Sequence, residues 1–83
     1  MKQKNPDGIE ILDVRGTLCP VPILLTAKRM RDLPPGARLE VVGDDLGIVE
    51  DMPVWCEETG HRLIGLEREG ELVRCLVEKP EAR

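Results

Sequence analysis

The stretch Ile9-Glu10-Ile11-Leu12-Asp13-Val14-Arg15-Gly16-Thr17-Leu18-Cys19-Pro20-Val21-Pro22 changes its period part-way, and that change decides the fold. Its first half is rich in β-branched residues and alternates imperfectly, which predicts a strand running into Arg15-Gly16-Thr17. From Pro20 onward the apolar positions Ile23, Leu24, Ala27, Met30 and Leu33 recur at helical spacing. A helix is therefore expected to about Leu33, where Pro34-Pro35-Gly36 forces a turn because proline lacks an N–H and restricts its predecessor.

Working outward, Arg38 to Gly43 reads as a second strand, and Asp44-Asp45 as turn material with one aspartate capping a second helix. In that helix Val49, Met52 and Cys56 share a face, and Pro53 either kinks it or opens a separate segment near Asp51. Gly60 suits a left-handed helix stop, and His61 opens a third strand. Glu69-Gly70 then turns the chain into a fourth, Leu72 to Glu78. The order is β-α-β-α-β-β, which predicts an α/β (α+β) two-layer sandwich with two helices on one face of a mixed four-stranded sheet. The 83 residues suffice for one core only, expected over about residues 9–79 between short flexible ends.

Composition limits the function. Three cysteines at wide, unequal spacing fit neither a disulfide framework nor a Cys-x-x-Cys metal site, so no metal or cofactor is expected and a reducing compartment follows. The N-terminal residues show no apolar signal segment, and no run approaches a membrane span, which points to a soluble cytoplasmic protein. The net charge of −4 divides into +2 over residues 1–33 and −6 over residues 34–83. With Trp55 as the sole aromatic, the stacking platforms of single-stranded nucleic-acid binders are missing, and direct nucleic-acid binding is not expected. A monomer is the default.

Chemistry concentrates at Cys19-Pro20-Val21-Pro22. With Pro20 preset for the first helical position, Cys19 becomes the N-cap. Its sulfur would then lie at the positive end of the helix dipole, within reach of a free Val21 N–H, an environment that favours thiolate. Pro22 removes a further amide donor, so the proline pair stiffens the site more than it builds an anion hole. A thiolate at a rigid, exposed helix start accepts sulfane sulfur as a persulfide and releases it by thiol exchange. Arg15 either helps stabilise that sulfur or is a solvated loop arginine. Asp13 is read as an acceptor of backbone N–H groups that orients the loop, and Gly16 as part of the turn that delivers Cys19. Lys28, Arg29 and Arg31 complement the helix dipole or recruit an acidic partner. Cys56 and Cys75 are read as core, and Trp55 as core or interface anchor. A Cys-His hydrolytic site would need His61, the only histidine, to fold against Cys19.

Asp13-Val14-Arg15-Gly16-Thr17-Leu18-Cys19-Pro20-Val21-Pro22, followed by Asp44-Asp45, Asp51-Met52-Pro53 and Gly60-His61, resembles the TusA (SirA-like) family of sulfur carriers. The resemblance implies a carrier rather than a stand-alone enzyme. Cys19 would receive sulfur from a cysteine desulfurase or rhodanese-type donor and pass it to a downstream acceptor protein. The family's destinations include tRNA thiolation, molybdenum cofactor synthesis and sulfur oxidation. Val21 stands where carriers of the tRNA relay often have Glu, and Leu18 where they often have Arg, so the partner-facing surface differs. The rival reading is a non-catalytic interaction module in which Cys-Pro-Val-Pro is only a helix cap.

Overall fold

The computed structural model describes residues 3–4 and 8–81. Its elements are β1 (Gln3–Lys4), β2 (Glu10–Asp13), α1 (Val21–Asp32), β3 (Arg38–Gly43), α2 (Gly47–Thr59), β4 (Arg62–Glu69) and β5 (Leu72–Glu78). They build one sheet in the order β1-β2-β3-β5-β4. The β-α-β-α-β-β order and the two-layer α+β architecture are those the periodicities imply. The structure adds Gln3–Lys4, a two-residue edge strand antiparallel to β2, within the end expected to be flexible. Two residues carry no period, which is why sequence reading passes over them.

β2 and β3 are parallel and joined through α1, while β3, β5 and β4 pair antiparallel. Leu39 and Val41 from β3 and Val73, Cys75 and Val77 from β5 meet Ile23 and Met30 of α1 and Ile48, Met52 and Cys56 of α2 in one buried cluster. Cys56 and Cys75 are thus core residues. The opposite sheet face stays open, and charged side chains cover it through Arg38–Glu78, Arg62–Glu78 and Arg74–Glu40 pairs.

The stripe expected on α1 holds for Ile23 and Met30 but fails at Leu24, which is 61% exposed. With the helix beginning at Val21, the inward face runs through Pro22, Ile23, Thr26 and Met30. Thr26 is tolerated there because its hydroxyl donates to the Pro22 carbonyl oxygen at 2.8 Å. Arg29 faces Glu10 of β2, with both nitrogens of its fork on the carboxylate, so it is not a free cation for a partner.

Pro53 lies inside α2, which runs through it without division into two segments. α2 stops at Gly60, whose φ of 80° is the left-handed conformation that glycine reaches without a Cβ penalty. His61 falls one residue before β4 rather than opening it. Where β3 ends, a Cβ on Gly43 would sit 2.4 Å from Ile48 Cδ1 and 3.1 Å from Val14 Cγ2, so the approach of α2 to the sheet needs glycine.

Candidate functional site around Cys19

Two neighbouring parallel strands bring their C-terminal loops together, and the site lies between the loops leaving β2 and β3. Gly16, with φ of 86°, turns the first loop. Thr17 fastens that turn, its hydroxyl donating to the Val14 carbonyl oxygen at 2.6 Å. The second loop supplies carboxylates. Gly16 N–H donates to Asp44 Oδ1 at 3.0 Å, and Cys19 N–H donates to Asp45 Oδ2 at 2.6 Å. Asp45 also accepts from Gly47 N–H at 3.3 Å. Neither aspartate is the N-cap, a position held by Leu46 without a side-chain cap bond. Their amide bonds instead clamp the cysteine loop to the start of α2.

Cys19 itself is not the N-cap of α1. That position belongs to Pro20, with Pro22 inside the first turn. A tight turn, closed by Val21 N–H donating to the Leu18 carbonyl oxygen at 2.8 Å and containing the cis Cys19–Pro20 peptide bond, delays the helix by one residue. The Val21 N–H is therefore spent, and the free donor expected beside the sulfur does not exist.

The electrostatics also reverse the expectation. Burial, then hydrogen bonding to the Asp51 and Asp45 carboxylates, pushes the Cys19 thiol up to about 12. The helix start offers too little positive potential to offset burial and two nearby carboxylates, since its first N–H groups are missing at the prolines or already bonded. At rest Cys19 is a thiol. The bonds Cys19 makes to Asp45 hold that carboxyl below the usual carboxylate range, so Asp45 stays charged. Asp51 stands one helical turn beyond Gly47 on the same face of α2. A Cβ on Gly47 would lie 3.3 Å from Cys19 Sγ, so glycine lets α2 approach the sulfur.

Arg15 is turned to Asp13. Its backbone N–H donates to Asp13 Oδ1 at 3.0 Å and its guanidinium grips both carboxylate oxygens, holding the Asp13 carboxyl down at about 2. Asp13 thus accepts a backbone N–H and fixes Arg15, while the bonds Arg15 makes run to Asp13 and not to the sulfur. His61 is engaged at the opposite end of α2. Thr59 Oγ1 donates to the Trp55 carbonyl oxygen at 2.7 Å and lies 2.8 Å from His61 Nδ1, and the His61 ring stacks on Trp55 at 4.4 Å. No Cys-His pair assembles. Among the described residues no group of three or more His, Cys, Asp or Glu is placed to hold a metal.

Beside these carboxylates, exposed apolar side chains flank the cysteine loop. Leu18 is 73% exposed and Val54 53%, and Val21, Leu24 and Leu46 also expose large side chains. Sequence reading found Cys19 and its prolines but missed that Asp45 and Asp51 touch it. The available signal was topological: Asp44-Asp45 follows the strand parallel to the one that delivers Cys19, and such loops meet.

Comparison with known proteins places this geometry. The family model described as sulfurtransferase TusA matches residues 10–79. The chain belongs to the TusA family. The sulfur carrier protein TusA of Pseudomonas syringae is 36% identical over 59 residues, which are 71% of this chain and 70% of that protein. YrkF of Bacillus subtilis is 44% identical over 69 residues, 83% of this chain but 37% of YrkF, so the chain spans little more than a third of that relative. The crystal structure of a SirA-like protein from Desulfitobacterium hafniense superposes with a TM-score of 0.73 over 86% of this chain and 97% of its own, at 21% identity, and shares its fold. In this TusA-family chain no helix among the described residues is long and apolar enough to cross a membrane.

Proposed function

We propose that the protein is a sulfur carrier that holds sulfane sulfur as a persulfide on Cys19. The observation that carries this reading is Cys19 itself, the one cysteine outside the buried core, at the rim of an exposed apolar collar and on a clamped loop. Family membership supports the class of chemistry, and the position of Cys19 supports it as the sulfur-bearing residue. In loading, the Cys19 sulfur attacks the outer sulfur of a donor persulfide, the donor S–S bond breaks, and the donor cysteine leaves as thiolate and takes up the proton that Cys19 loses. No external oxidant is required. In delivery an acceptor thiolate attacks the same outer sulfur, and Cys19 leaves and is reprotonated.

Donors of the cysteine desulfurase or rhodanese type and a downstream acceptor protein fit this exchange, with tRNA thiolation, molybdenum cofactor synthesis or sulfur oxidation as the destination. A reducing cytoplasm suits the protein's three free cysteines. Pro20 and Pro22 stiffen the loop, Gly16 turns it, and the Asp13–Arg15 pair orders its start.

One observation favours a second reading. A thiol pushed up to about 12 is a weak nucleophile, as expected if the segment only caps a helix in an interaction module. Incubation with a cysteine desulfurase and radiolabelled cysteine separates the two. The carrier reading predicts DTT-labile label on the wild type and none on Cys19→Ser, whereas equal labelling of both proteins refutes it.

A further inference from the structure

Both exchange steps need Cys19 as a thiolate, first to attack and then to leave, because a low-pKa thiol is the better leaving group. The resting site opposes this. The sulfur is partly buried, Asp51 and Asp45 lie against it, and the first turn of α1 carries no charged side chain. Arg15, the basic residue of the cysteine loop, is committed to Asp13. Asp13, Glu10, Glu78 and Glu40 are each paired with one of the chain's own arginines. Beside Cys19 the described residues include no salt bridge to Asp45, Asp51 or Glu58, which leaves these carboxylates open to a cation brought by a partner.

An open groove leads from that point along α2. Pro20, Ile23, Asp51, Val54, Trp55 and Glu58 line it. Asp51, Val54, Trp55 and Glu58 share one face of α2, with the acidic groups at the ends and the apolar groups between. Asp51 and Glu58 stand seven positions apart in the sequence. On a helix that is about 10 Å. A polyproline-II segment spans about 9 Å over three residues and returns them to the same side, so basic residues three apart meet both carboxylates.

Resting on the carrier reading above, we propose that this groove takes a basic, apolar segment of the sulfur-exchange partner, of the form basic-apolar-apolar-basic, whose cation at Asp51 frees Cys19 to react. The backbone between the cations passes over Val54 and Trp55 with its apolar side chains flanking them on either side, and the second cation meets Glu58. Docking and chemical activation are then one event, and sulfur is not lost to small thiols while the carrier is alone.

The test uses the whole chain and the peptide acetyl-Arg-Leu-Leu-Arg-amide, with acetyl-Glu-Leu-Leu-Glu-amide as control. Trp55 is the only aromatic residue, so its emission reports occupancy of the groove. The rate of iodoacetamide alkylation at Cys19, located by mass spectrometry at neutral pH, reports thiolate. Saturable change in Trp55 emission and about ten-fold faster alkylation, one unit of thiol pKa, are expected with the arginine peptide alone. Asp51→Asn, at an exposed position, removes most of the peptide's effect and is itself faster by a similar factor without peptide. Glu58→Gln weakens peptide binding and leaves the peptide-free rate unchanged. Unchanged Trp55 emission, or alkylation indifferent to both the peptide and Asp51→Asn, overturns the proposal. If sulfur still loads on Cys19 in that case, the carrier reading stands without it. If the peptide activates Cys19 but no donor loads it, the carrier reading falls, and with it the assignment of the occupant as a sulfur-exchange partner.

Discussion

Asp45 shows how much one side chain carries at this site. Its carboxylate takes the amides of Cys19 and Gly47, on two loops that sequence separates and the parallel β2–β3 pair brings together. Truncation in Asp45→Ala leaves two part-buried N–H groups without their acceptor. It is expected to lower stability by roughly 1–3 kcal/mol, read as a lower urea midpoint at unchanged slope. At this scale the sequence was legible where backbone chemistry dominates. Cys19 between a turn and two prolines, Gly60 as the left-handed stop and Asp13 accepting the Arg15 amide follow from residue type alone. The thiol's ionisation did not follow, because burial sets it first and the Asp51 and Asp45 carboxylates that add to it lie 32 and 26 positions away in the chain. Local reading weighed only the helix dipole, and burial together with two carboxylates in contact outweighs it.

Among the elements, α2 connects the core to the site. Its inner face, Ile48, Met52 and Cys56, packs into the cluster under the sheet, while its outer face carries Asp51, Val54 and Glu58. Met52 is fully buried, so Met52→Ala should cost about 2–5 kcal/mol through lost contacts and a residual cavity. Thermal denaturation checks this: a shift of only a degree or two would mean that α2 is not anchored as described. Met52 and Cys56 on the inward face of α2 were readable from spacing, whereas its first buried residue is Ile48, and Val49, expected there, is only partly buried. The continuity of α2 through Pro53 was not readable, since the tertiary contacts of Ile48, Met52 and Cys56 on both sides of the proline offset the lost backbone bond. On α1 the error was one of phase. The turn closed by Val21 and Leu18 sets the helix start one residue later than expected, and the buried face includes Thr26 in place of Leu24. The exposed Leu24 then lies about one turn beyond Val21 on the outer side of α1.

For the molecule as a whole, the cysteines define a pH limit. Burial pushes Cys56 up to about 11 and Cys75 up to about 12, from about 9 in the unfolded chain. With folded values raised, the stability they contribute is complete below pH 9 and is lost as pH climbs towards the folded values, because the unfolded chain releases these protons first. Each buried thiol should steepen the loss by about 1.4 kcal/mol per pH unit. Equilibrium unfolding across this alkaline range measures it, and Cys75→Val, which cannot ionise, should flatten the decline. The same folding economy explains why the architecture was legible. A chain with one small core must bury every apolar face it has, so strand and helix periods largely determine the layers. Gln3–Lys4 and the open sheet face, covered by ion pairs such as Arg38–Glu78, add detail that no period encodes.

The central claim is that Cys19 carries the sulfur. The most direct test is intact mass spectrometry of the unreduced protein after incubation with a cysteine desulfurase and cysteine, with peptide mapping of the product. The account predicts a DTT-labile gain of about 32 Da, one sulfur atom, mapped to Cys19. No gain from any donor, or a gain that maps to Cys56 or Cys75 and persists in Cys19→Ser, would contradict it.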